Sequence, residues 1–377
     1  MNIPKKIHYF WTGNKISQND LKNIMAIKAE NPGFQLNIWG NKTDESLIIK
    51  TFNSLTFTGE EGKNSKNYHL GFTQTKFSYV YRIVETAFDF LFHTIMRGQP
   101  NNSSAIAQEN IVGGDRELVR YLRHLYYFNL QGTFRNYAAS SDIARLVILY
   151  MEGGIYLDVD VQLRTQLDDQ PGVKHRKKIS LDITNNRFDA IKLNSDLGFG
   201  DASGCGWGPG NTKNKFGNAI IASQPQSDSI LQLLLHMARQ IKRSHLLRQV
   251  GESPYGNEIS SAAKTLRVDK LNYALDYENT ERKNIIPNKS CGILAPEWRT
   301  GIDLTKENSD QKRRKRRLEH TVNQTGPIFY RHHFRIKNTN LMADELKIQI
   351  EGKDKGMFSA VNAEANWANS QKRNNKK

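Results

Sequence analysis

Cysteine is nearly absent from this chain of 377 residues, which contains only Cys205 and Cys291. Two cysteines so far apart exclude a disulfide framework and a cysteine-based metal site, and they suit a protein made or active in a reducing compartment. The chain also lacks a run of about eighteen apolar residues, so no transmembrane helix is predicted. Residues 1–6 lack the apolar segment of a signal peptide, so none is predicted.

Acidic residues are outnumbered: 38 Asp and Glu stand against 54 Lys and Arg, a net charge of +16. Six basic residues form one run, Lys312 to Arg317, within a polar stretch (308–319) that we interpret as an exposed basic loop. Three roles stay open for it: binding an acidic protein or an anionic membrane surface, a nuclear-import type signal, or no partner. Residues 371–377 are interpreted as a disordered basic tail. Nucleic-acid binding is not predicted, because no aromatic platform, zinc pattern or recognition helix accompanies the run.

The most informative stretch runs from Asn136 to Val161, where an apolar run ends in two acidic residues, Asp158 and Asp160. If that run is a β-strand, both carboxylates leave the same face of it. Open α/β sheets place their ligand sites at strand ends, and two adjacent carboxylates repel each other unless a cation lies between or beside them. We therefore predict a Mg²⁺ or Mn²⁺ site that holds a diphosphate.

A helix is predicted just before this strand. Residues 140–142 supply candidate caps, apolar positions recur at helical spacing up to Tyr150, and Gly153-Gly154 supplies a left-handed exit. Asp142 and Arg145 lie three residues apart in the first predicted turn, where the positive helix end and a guanidinium can both face an anionic ligand. Each feature alone is typical of an ordinary helix, but their ordered combination indicates a binding site.

Another strand is predicted at residues 3–13, where apolar and aromatic side chains alternate before the Thr12-Gly13 turn. Trp11 lies at the end of this strand, from where a flat ring can cover a base; a plug of the core is the alternative interpretation. The run Phe34 to Trp39 follows a turn and predicts the next strand, giving a βαβ start with a helix at 20–29.

Both segments resemble parts of one family. The stretch SSDIARLVILYMEGGIYLDVDV is similar to the sugar-nucleotide site of the large clostridial glucosylating toxins, of shorter bacterial effector glycosyltransferases and of the DXD-containing sugar-transferase family. Residues 3–13 resemble the opening strand of that family, whose tryptophan stacks on uracil. The resemblance implies an α/β fold of GT-A type, a Rossmann-like sheet with helical insertions. Residues 1–370 are expected to form this single domain, with a helical insertion at about 65–134.

The resemblance also implies roles for the acidic pair and the helix before it. Asp160 is expected to hold the metal, and Asp158 to contact metal, ribose or sugar. Asp142 and Arg145 are expected to grip sugar hydroxyls.

For the nucleotide, the resemblance implies three contacts. Trp11 and Ser141 are expected to place the uridine, and Tyr156 to contact the donor. The expected donor is UDP-glucose or UDP-N-acetylglucosamine.

Fainter similarities lie toward the C-terminus. Residues 217–223 resemble the return strand of the family, and 325–327 resemble a recurring S/TGP turn. Trp367 is expected to close over the sugar phosphates. The chain departs from the toxins just before this tryptophan, and Glu364 is predicted as a further metal ligand there. Asn362, or one of the adjacent histidines His332 and His333, is the alternative ligand.

The resemblance implies a metal-dependent, retaining glycosyltransferase that moves a sugar from a UDP-sugar to a hydroxyl. One hypothesis is a bacterial toxin or effector, secreted into a host cell by a route that the sequence does not display, which acts in the cytosol on a host protein such as a small GTPase. The alternative is a transferase of polysaccharide or lipid-linked glycan. A binding module without activity is disfavoured, because Asp142, Arg145, Asp158 and Asp160 are all present.

Overall fold

A mixed sheet with helices on both faces makes up the described part of the chain, which in this computed structural model comprises residues 1–13, 16–53, 78–98, 114–130, 136–163, 187–201, 216–252, 321, 325–336, 346, 348–350 and 358–360. The strands in this part are Lys6–Phe10 (β1), Gln35–Gly40 (β2), Val80–Ile83 (β3), Gly154–Leu157 (β4), Val161–Leu163 (β5), Ile191–Lys192 (β6), Leu197–Asp201 (β7), Phe216–Ser223 (β8), Gln349–Ile350 (β9) and Phe358–Ala360 (β10).

The helices in the same residues are Gln18–Glu30 (α1), Glu45–Asn53 (α2), Val84–Gly98 (α3), Asp115–Leu130 (α4), Tyr137–Glu152 (α5), Asp228–Glu252 (α6) and Pro327–Ile336 (α7). Short 3₁₀ turns lie at Lys42–Asp44 and Phe188–Ala190. Among these described helices, none combines the length and apolarity needed to cross a bilayer.

The central sheet has six strands in the order β3-β2-β1-β4-β8-β7. β1 is parallel to both of its neighbours, β2 and β4, and β2 is parallel to β3. β8 is antiparallel to β4 and to β7. The order of the strands therefore reverses beside β1, and the carboxyl ends of β1 and β4 flank the crevice where open α/β sheets bind ligands. The predicted Rossmann-like α/β sheet is confirmed.

Both faces of this sheet are buried, as expected for its parallel part. On one face, Phe10, Trp39 and Tyr156 pack with apolar residues of α3 to α7. On the other face, Ile7 and Tyr9 pack with residues of α1 and α2. Burying one such side chain contributes roughly 1.5–3 kcal/mol, so the two layers of helices fix the strand ends that carry the site.

The connection from α5 to β4 follows the predicted glycine exit but not the predicted cap. Gly153 and Gly154 have positive φ angles of 61° and 89°. The helix begins earlier than expected, because the Asn136 side chain accepts the Ala139 backbone N–H at 3.3 Å and caps it. Residues 140–142 are therefore not caps, and Asp142 lies in the second turn rather than at the positive helix end.

The predicted helical insertion contains a strand. The spacing of apolar residues from Phe77 to Met96 predicts a helix throughout, but Val80–Ile83 forms β3 and the helix begins at Val84. The short run VYRI, rich in β-branched and aromatic residues, satisfies both patterns, and pairing with Asn37 to Gly40 at the sheet edge decides for the strand. The parts of the insertion at 65–77, 99–113 and 131–134 lie outside the described residues.

A buried histidine joins the first two strands to the α5 exit. Nδ1 of His8 accepts the indole N–H of Trp39 at 2.9 Å, so Nε2 carries the ring proton and donates to the Gly153 carbonyl at 2.9 Å. Burial, with smaller contributions from Lys6 and Arg82, lowers the pKa of His8 to about 3, against the opposing effect of the bond to Gly153. His8 is therefore neutral in the folded protein at neutral pH.

We expect His8 to make the protein sensitive to acid. The pKa of His8 in the folded protein lies below its unfolded value, so its contribution is complete above pH 6.5 and is lost as the pH falls toward 3. Between pH 7.5 and pH 5 this amounts to roughly 2 kcal/mol. His8→Gln should remove that part of the decrease in unfolding free energy, measured by urea denaturation. His124→Gln, at an exposed position of α4, is the control, and an unchanged decrease in His8→Gln would contradict the assignment.

Gly154→Ala should destabilise the fold. A Cβ at Gly154 would lie 2.5 Å from the Lys6 carbonyl oxygen, and φ is +89°. We expect a loss of about 1–3 kcal/mol in unfolding free energy. Gly33→Ala is the matched control, because a Cβ there meets no atom within 4 Å. Equal stability of the two variants in thermal unfolding would show that the Gly154 backbone is not constrained.

Candidate functional site

The candidate site lies where β1 and β4 end. Trp11 follows β1, is partly exposed, and its backbone N–H donates to the Trp39 carbonyl at 2.9 Å. Asp158 follows β4, and its backbone N–H donates to the Ala219 carbonyl at 2.8 Å. The tryptophan and the acidic pair therefore flank the crevice between β1 and β4 at the same edge of the sheet.

The alternation of side chains predicted that the acidic pair lies on a strand. In the structure it does not. β4 ends at Leu157, and the Val161 N–H donates to the Asp158 carbonyl at 3.0 Å, which closes a turn before β5 begins. The side chain of Asp158 is 29 % exposed, and Asp160 is partly buried. The turn, rather than the pleat of a strand, brings the two carboxylates to the crevice.

The two carboxylates interact electrostatically. Burial, followed by the neighbouring Asp158 and by Asp20, raises the pKa of Asp160 to about 7, against the opposing effect of Arg145. Two such oxygen ligands at one edge fit a divalent cation that takes its other ligands from phosphate and water. No group of three or more His, Cys, Asp or Glu residues suited to a metal occurs among the described residues, and the predicted ligand Glu364 lies outside them.

Arg145 is buried and pairs with Asp158 from the interior of the protein. Its Nη2 lies 3.2 Å from Oδ1 of Asp158 and 3.1 Å from Oδ1 of Asp142, and donates to the Ser141 hydroxyl at 3.0 Å. Its Nε donates to the Ser141 carbonyl at 3.2 Å. Burial alone would lower the pKa of Arg145, but Asp158 and Asp142 are among the groups that raise it above its usual value. Arg145 is thus a buried cation shared by two carboxylates.

Tyr156 also lies behind Asp158. The residue is 1 % exposed, and its hydroxyl donates to Oδ1 of Asp158 at 3.2 Å. The Ser141 Oγ lies 3.2 Å from the same hydroxyl, and the guanidinium carbon of Arg145 lies 4.9 Å from the ring centroid. Ser141, Tyr156 and Arg145 therefore form one support that orients the Asp158 carboxylate.

Asp142 is also bonded on both oxygens. Its Oδ1 accepts the side-chain N–H of Asn218 at 2.8 Å, and its Oδ2 accepts the Thr325 hydroxyl at 2.8 Å. Burial raises the pKa of Asp142 to about 7, although Arg145, Thr325 and Asn218 each act to lower the pKa. Asp142 and Arg145 lie together, as predicted. Both residues are buried, with exposed fractions of 1 % and 3 %.

A polar cluster fixes the turn after Trp11. Oδ2 of Asp44 accepts the Thr12 hydroxyl at 2.9 Å and the Gly13 backbone N–H at 3.4 Å. The side-chain N–H of Asn41 donates to Thr12 at 2.7 Å, and the Tyr126 hydroxyl of α4 donates to Asn41. The backbone next to Trp11 is therefore held by Asn41, which follows β2, by Asp44 of the 3₁₀ turn and by Tyr126 of α4.

Several predicted residues lie outside the described part of the chain. These are Glu364, Asn362, Trp367, the basic loop (308–319) and the basic tail (371–377), and they stay predictions. His333, an alternative metal ligand in the sequence, lies on α7, and its Nδ1 is 2.6 Å from Nδ1 of His236.

Two partners of the site were not recognised from the sequence. Asn218 and Thr325 both belong to segments with a family resemblance, but no role followed from that resemblance. Asn218 is 76 residues and Thr325 is 183 residues from Asp142. No local pattern links residues so far apart, so only the assembled sheet reveals these contacts.

A protein-family model matches part of the chain. Residues 17–177 match the family described as "Glycosyltransferase sugar-binding region containing DXD motif". The matched region contains the helix α5 and the acidic pair at Asp158 and Asp160. The match confirms the resemblance inferred from the sequence, and it identifies the chain as a glycosyltransferase whose residues 17–177 are similar to that family.

Three solved structures are similar at low identity. The ligand-free glycosyltransferase domain of the YGT toxin has 14 % identity and a TM-score of 0.47, covering 95 % of this chain and 80 % of that one. The UDP-bound form of that domain has 13 % identity and a TM-score of 0.45, covering 92 % and 79 %. The catalytic domain of alpha-toxin from Clostridium novyi has 14 % identity and a TM-score of 0.41, covering 100 % and 81 %. No curated protein sequence matches the chain.

Arg145→Gln should be strongly destabilising. It leaves two carboxylates without their shared cation in a buried site, and breaking a buried ion pair in this way costs about 3–5 kcal/mol. Arg123→Gln is the matched control, since Arg123 pairs with Asp89 at 2.8 Å on the exposed surface and such pairs contribute about 0–1 kcal/mol. Chemical denaturation of both variants measures the difference, and similar losses would contradict the buried role of Arg145.

Proposed function

We propose that this glycosyltransferase, whose residues 17–177 carry the DXD-type sugar-binding region, uses a divalent cation to transfer a sugar from a UDP-sugar to a hydroxyl group. The observation that carries the proposal is the position of Asp158 and Asp160. Both follow β4 beside the crevice at which the strand order reverses. That crevice is where α/β sheets bind nucleotides.

The diphosphate end of the donor is assigned to the acidic pair. Mn²⁺ or Mg²⁺ held by Asp160 and Asp158, with Glu364 as a further predicted ligand, would offset the negative charge of the leaving diphosphate. Arg145 and Tyr156 keep the Asp158 carboxylate in one orientation through bonds of 3.2 Å each. Asp158 is therefore positioned before the donor arrives, so little reorganisation is needed on binding.

The uridine end is assigned to Trp11 and Ser141. Trp11 is partly exposed at the end of β1, and the Asp44 and Asn41 contacts hold the adjacent turn. A tryptophan in this position can stack on uracil. Ser141 lies in α5, which supports the other side of the crevice.

We further propose that the reaction retains the anomeric configuration, as the family resemblance implies. A double displacement would need a free carboxylate as nucleophile. Both oxygens of Asp142 are bonded within the protein, and Asp158 is bonded to Arg145 and Tyr156. These contacts favour attack by the acceptor hydroxyl on the face from which UDP departs.

For the acceptor we propose a protein of a host cell, with a small GTPase as one candidate, and UDP-glucose or UDP-N-acetylglucosamine as the donor. The sequence resemblance to bacterial toxins and effectors supports this class. The net charge of +16 also supports it, because such a charge attracts acidic partners over long range. The protein would then act in the cytosol of the host, with Lys312 to Arg317 available to an acidic protein or membrane surface.

Transfer from a labelled donor tests the proposal. The protein is incubated with Mn²⁺, radiolabelled UDP-glucose or UDP-N-acetylglucosamine, and a eukaryotic lysate. A labelled protein band is the expected result. Label only in glycan or lipid would instead identify a polysaccharide or lipid-linked glycan transferase. Absence of both transfer and donor hydrolysis across a panel of UDP-sugars would overturn the proposed function.

Replacing both carboxylates should abolish transfer while the fold persists. In Asp158→Asn with Asp160→Asn we expect activity to fall at least about a hundredfold, since charge stabilisation of the leaving group is lost. Asp189→Asn, at an exposed residue paired with Lys5 at 3.0 Å, is the control and should keep full activity. Thermal unfolding of all variants verifies the fold. Full Mn²⁺-dependent activity of the double variant would remove the metal-site assignment.

A further inference from the structure

We infer that Thr325 is a positioning residue of the donor site, which acts through Asp142 and Arg145 on the orientation of Asp158. The inference rests on the proposed function and names a residue beyond the matched region 17–177. It follows from four connected contacts, each between described side chains.

The first contact joins Thr325 to Asp142. The Thr325 hydroxyl donates to Oδ2 of Asp142 at 2.8 Å, and both residues are 1 % exposed. The same hydroxyl lies 3.2 Å from the Thr321 carbonyl. A hydroxyl has a single proton, and the shorter bond to a carboxylate is the stronger one. The Thr325 hydroxyl therefore donates its hydrogen bond to Asp142.

The second contact holds Thr325 in place. Thr321 and Asn136, the residue that caps α5, are hydrogen-bonded through their side chains at 2.9 Å. Thr325 bonds α5 again at Asp142, and α7 begins two residues later at Pro327. Thr321 and Thr325 thus contact Asn136 and Asp142, two positions six residues apart at the start of α5. These two contacts fix the position of the Thr325 hydroxyl against α5.

The remaining contacts connect Asp142 to the crevice. Oδ1 of Asp142 lies 3.1 Å from Nη2 of Arg145, and the same nitrogen lies 3.2 Å from Oδ1 of Asp158. One guanidinium nitrogen is therefore shared by the buried carboxylate and the carboxylate at the crevice. If Oδ2 of Asp142 loses its bond to Thr325, the carboxylate can rotate, and the shared nitrogen shifts relative to Asp158.

The same hydrogen bond affects the protonation of Asp142. The charged and titratable groups that face Asp142 are Arg145 on its own helix, Asp158 after β4, Tyr156 on β4 and Tyr330 on α7. Asp142 must be ionised to attract Arg145 fully. The Thr325 bond lowers the pKa of Asp142, so its loss should keep Asp142 protonated up to a higher pH. The acid limb of the activity profile then moves to higher pH.

Three variants test this inference. Thr325→Val removes the hydroxyl at nearly constant volume, and Thr325→Ser keeps it. Thr51→Val is the matched control, because Thr51 is buried in α2 and donates to the Leu47 carbonyl at 2.7 Å, away from the site. The measurements are kcat and KM for Mn²⁺-dependent hydrolysis of UDP-glucose, the affinity for UDP by calorimetry, and the pH profile of kcat/KM.

For Thr325→Val we expect kcat to fall about tenfold or more, the amount that a lost hydrogen bond to a charged group accounts for. The affinity for UDP should fall less than kcat, because Trp11 and Asp160 keep their positions, and the acid limb of the profile should move to higher pH. Thr325→Ser should restore both kcat and the profile, and Thr51→Val should behave as the wild type.

Other outcomes overturn the inference. If Thr325→Val keeps the kcat and pH profile of the wild type, Thr325 does not position Asp158. If Thr325→Ser is as impaired as Thr325→Val, the hydroxyl group is not the cause of the effect. If Thr325→Val does not fold, Thr325→Ala and Thr325→Ser make the same comparison. A wild type that neither binds UDP nor hydrolyses any UDP-sugar overturns the proposed function itself, which separates that failure from failure of the Thr325 inference.

Discussion

The buried guanidinium of Arg145 is the interaction on which the site depends. An isolated charge at a position 3 % exposed would cost several kcal/mol, but Asp142 and Asp158 both compensate it. With Asp160, three carboxylates face one guanidinium, which leaves a formal charge of −2 when all are ionised. This excess lies at the open edge of the sheet, where a divalent cation with a diphosphate can neutralise it.

The topology of the sheet determines where this negative charge lies. β1 is flanked by β2 on one side and β4 on the other, so their carboxyl ends open a crevice between Trp11 and Asp158. The Trp11 side of the crevice is held by Asn41, Asp44 and Tyr126, and the Asp158 side by α5 and its partners. Under the proposed function, each end of the nucleotide sugar would thus meet residues whose backbone is already fixed.

The sequence predicted well what local patterns determine. Alternation identified β1, the short run after a turn identified β2, and Gly153-Gly154 identified the exit from α5. Local patterns could not show that β4 ends at Leu157, because the alternation continues beyond the point where pairing with β8 stops. The cap of α5 at Asn136 was missed since Ser140 and Ser141 are equally good capping residues. The partners of Asp142 escaped because they come from distant parts of the chain.

Those distant partners bear on what counts as a complete catalytic unit. Asp142 belongs to the segment that the family match covers, but two of its hydrogen-bond donors, Asn218 and Thr325, come from later parts of the chain. A fragment ending near residue 177 would leave the Asp142 carboxylate without these two donors. The shortest chain that completes this buried cluster therefore extends at least to Thr325, well beyond the matched region.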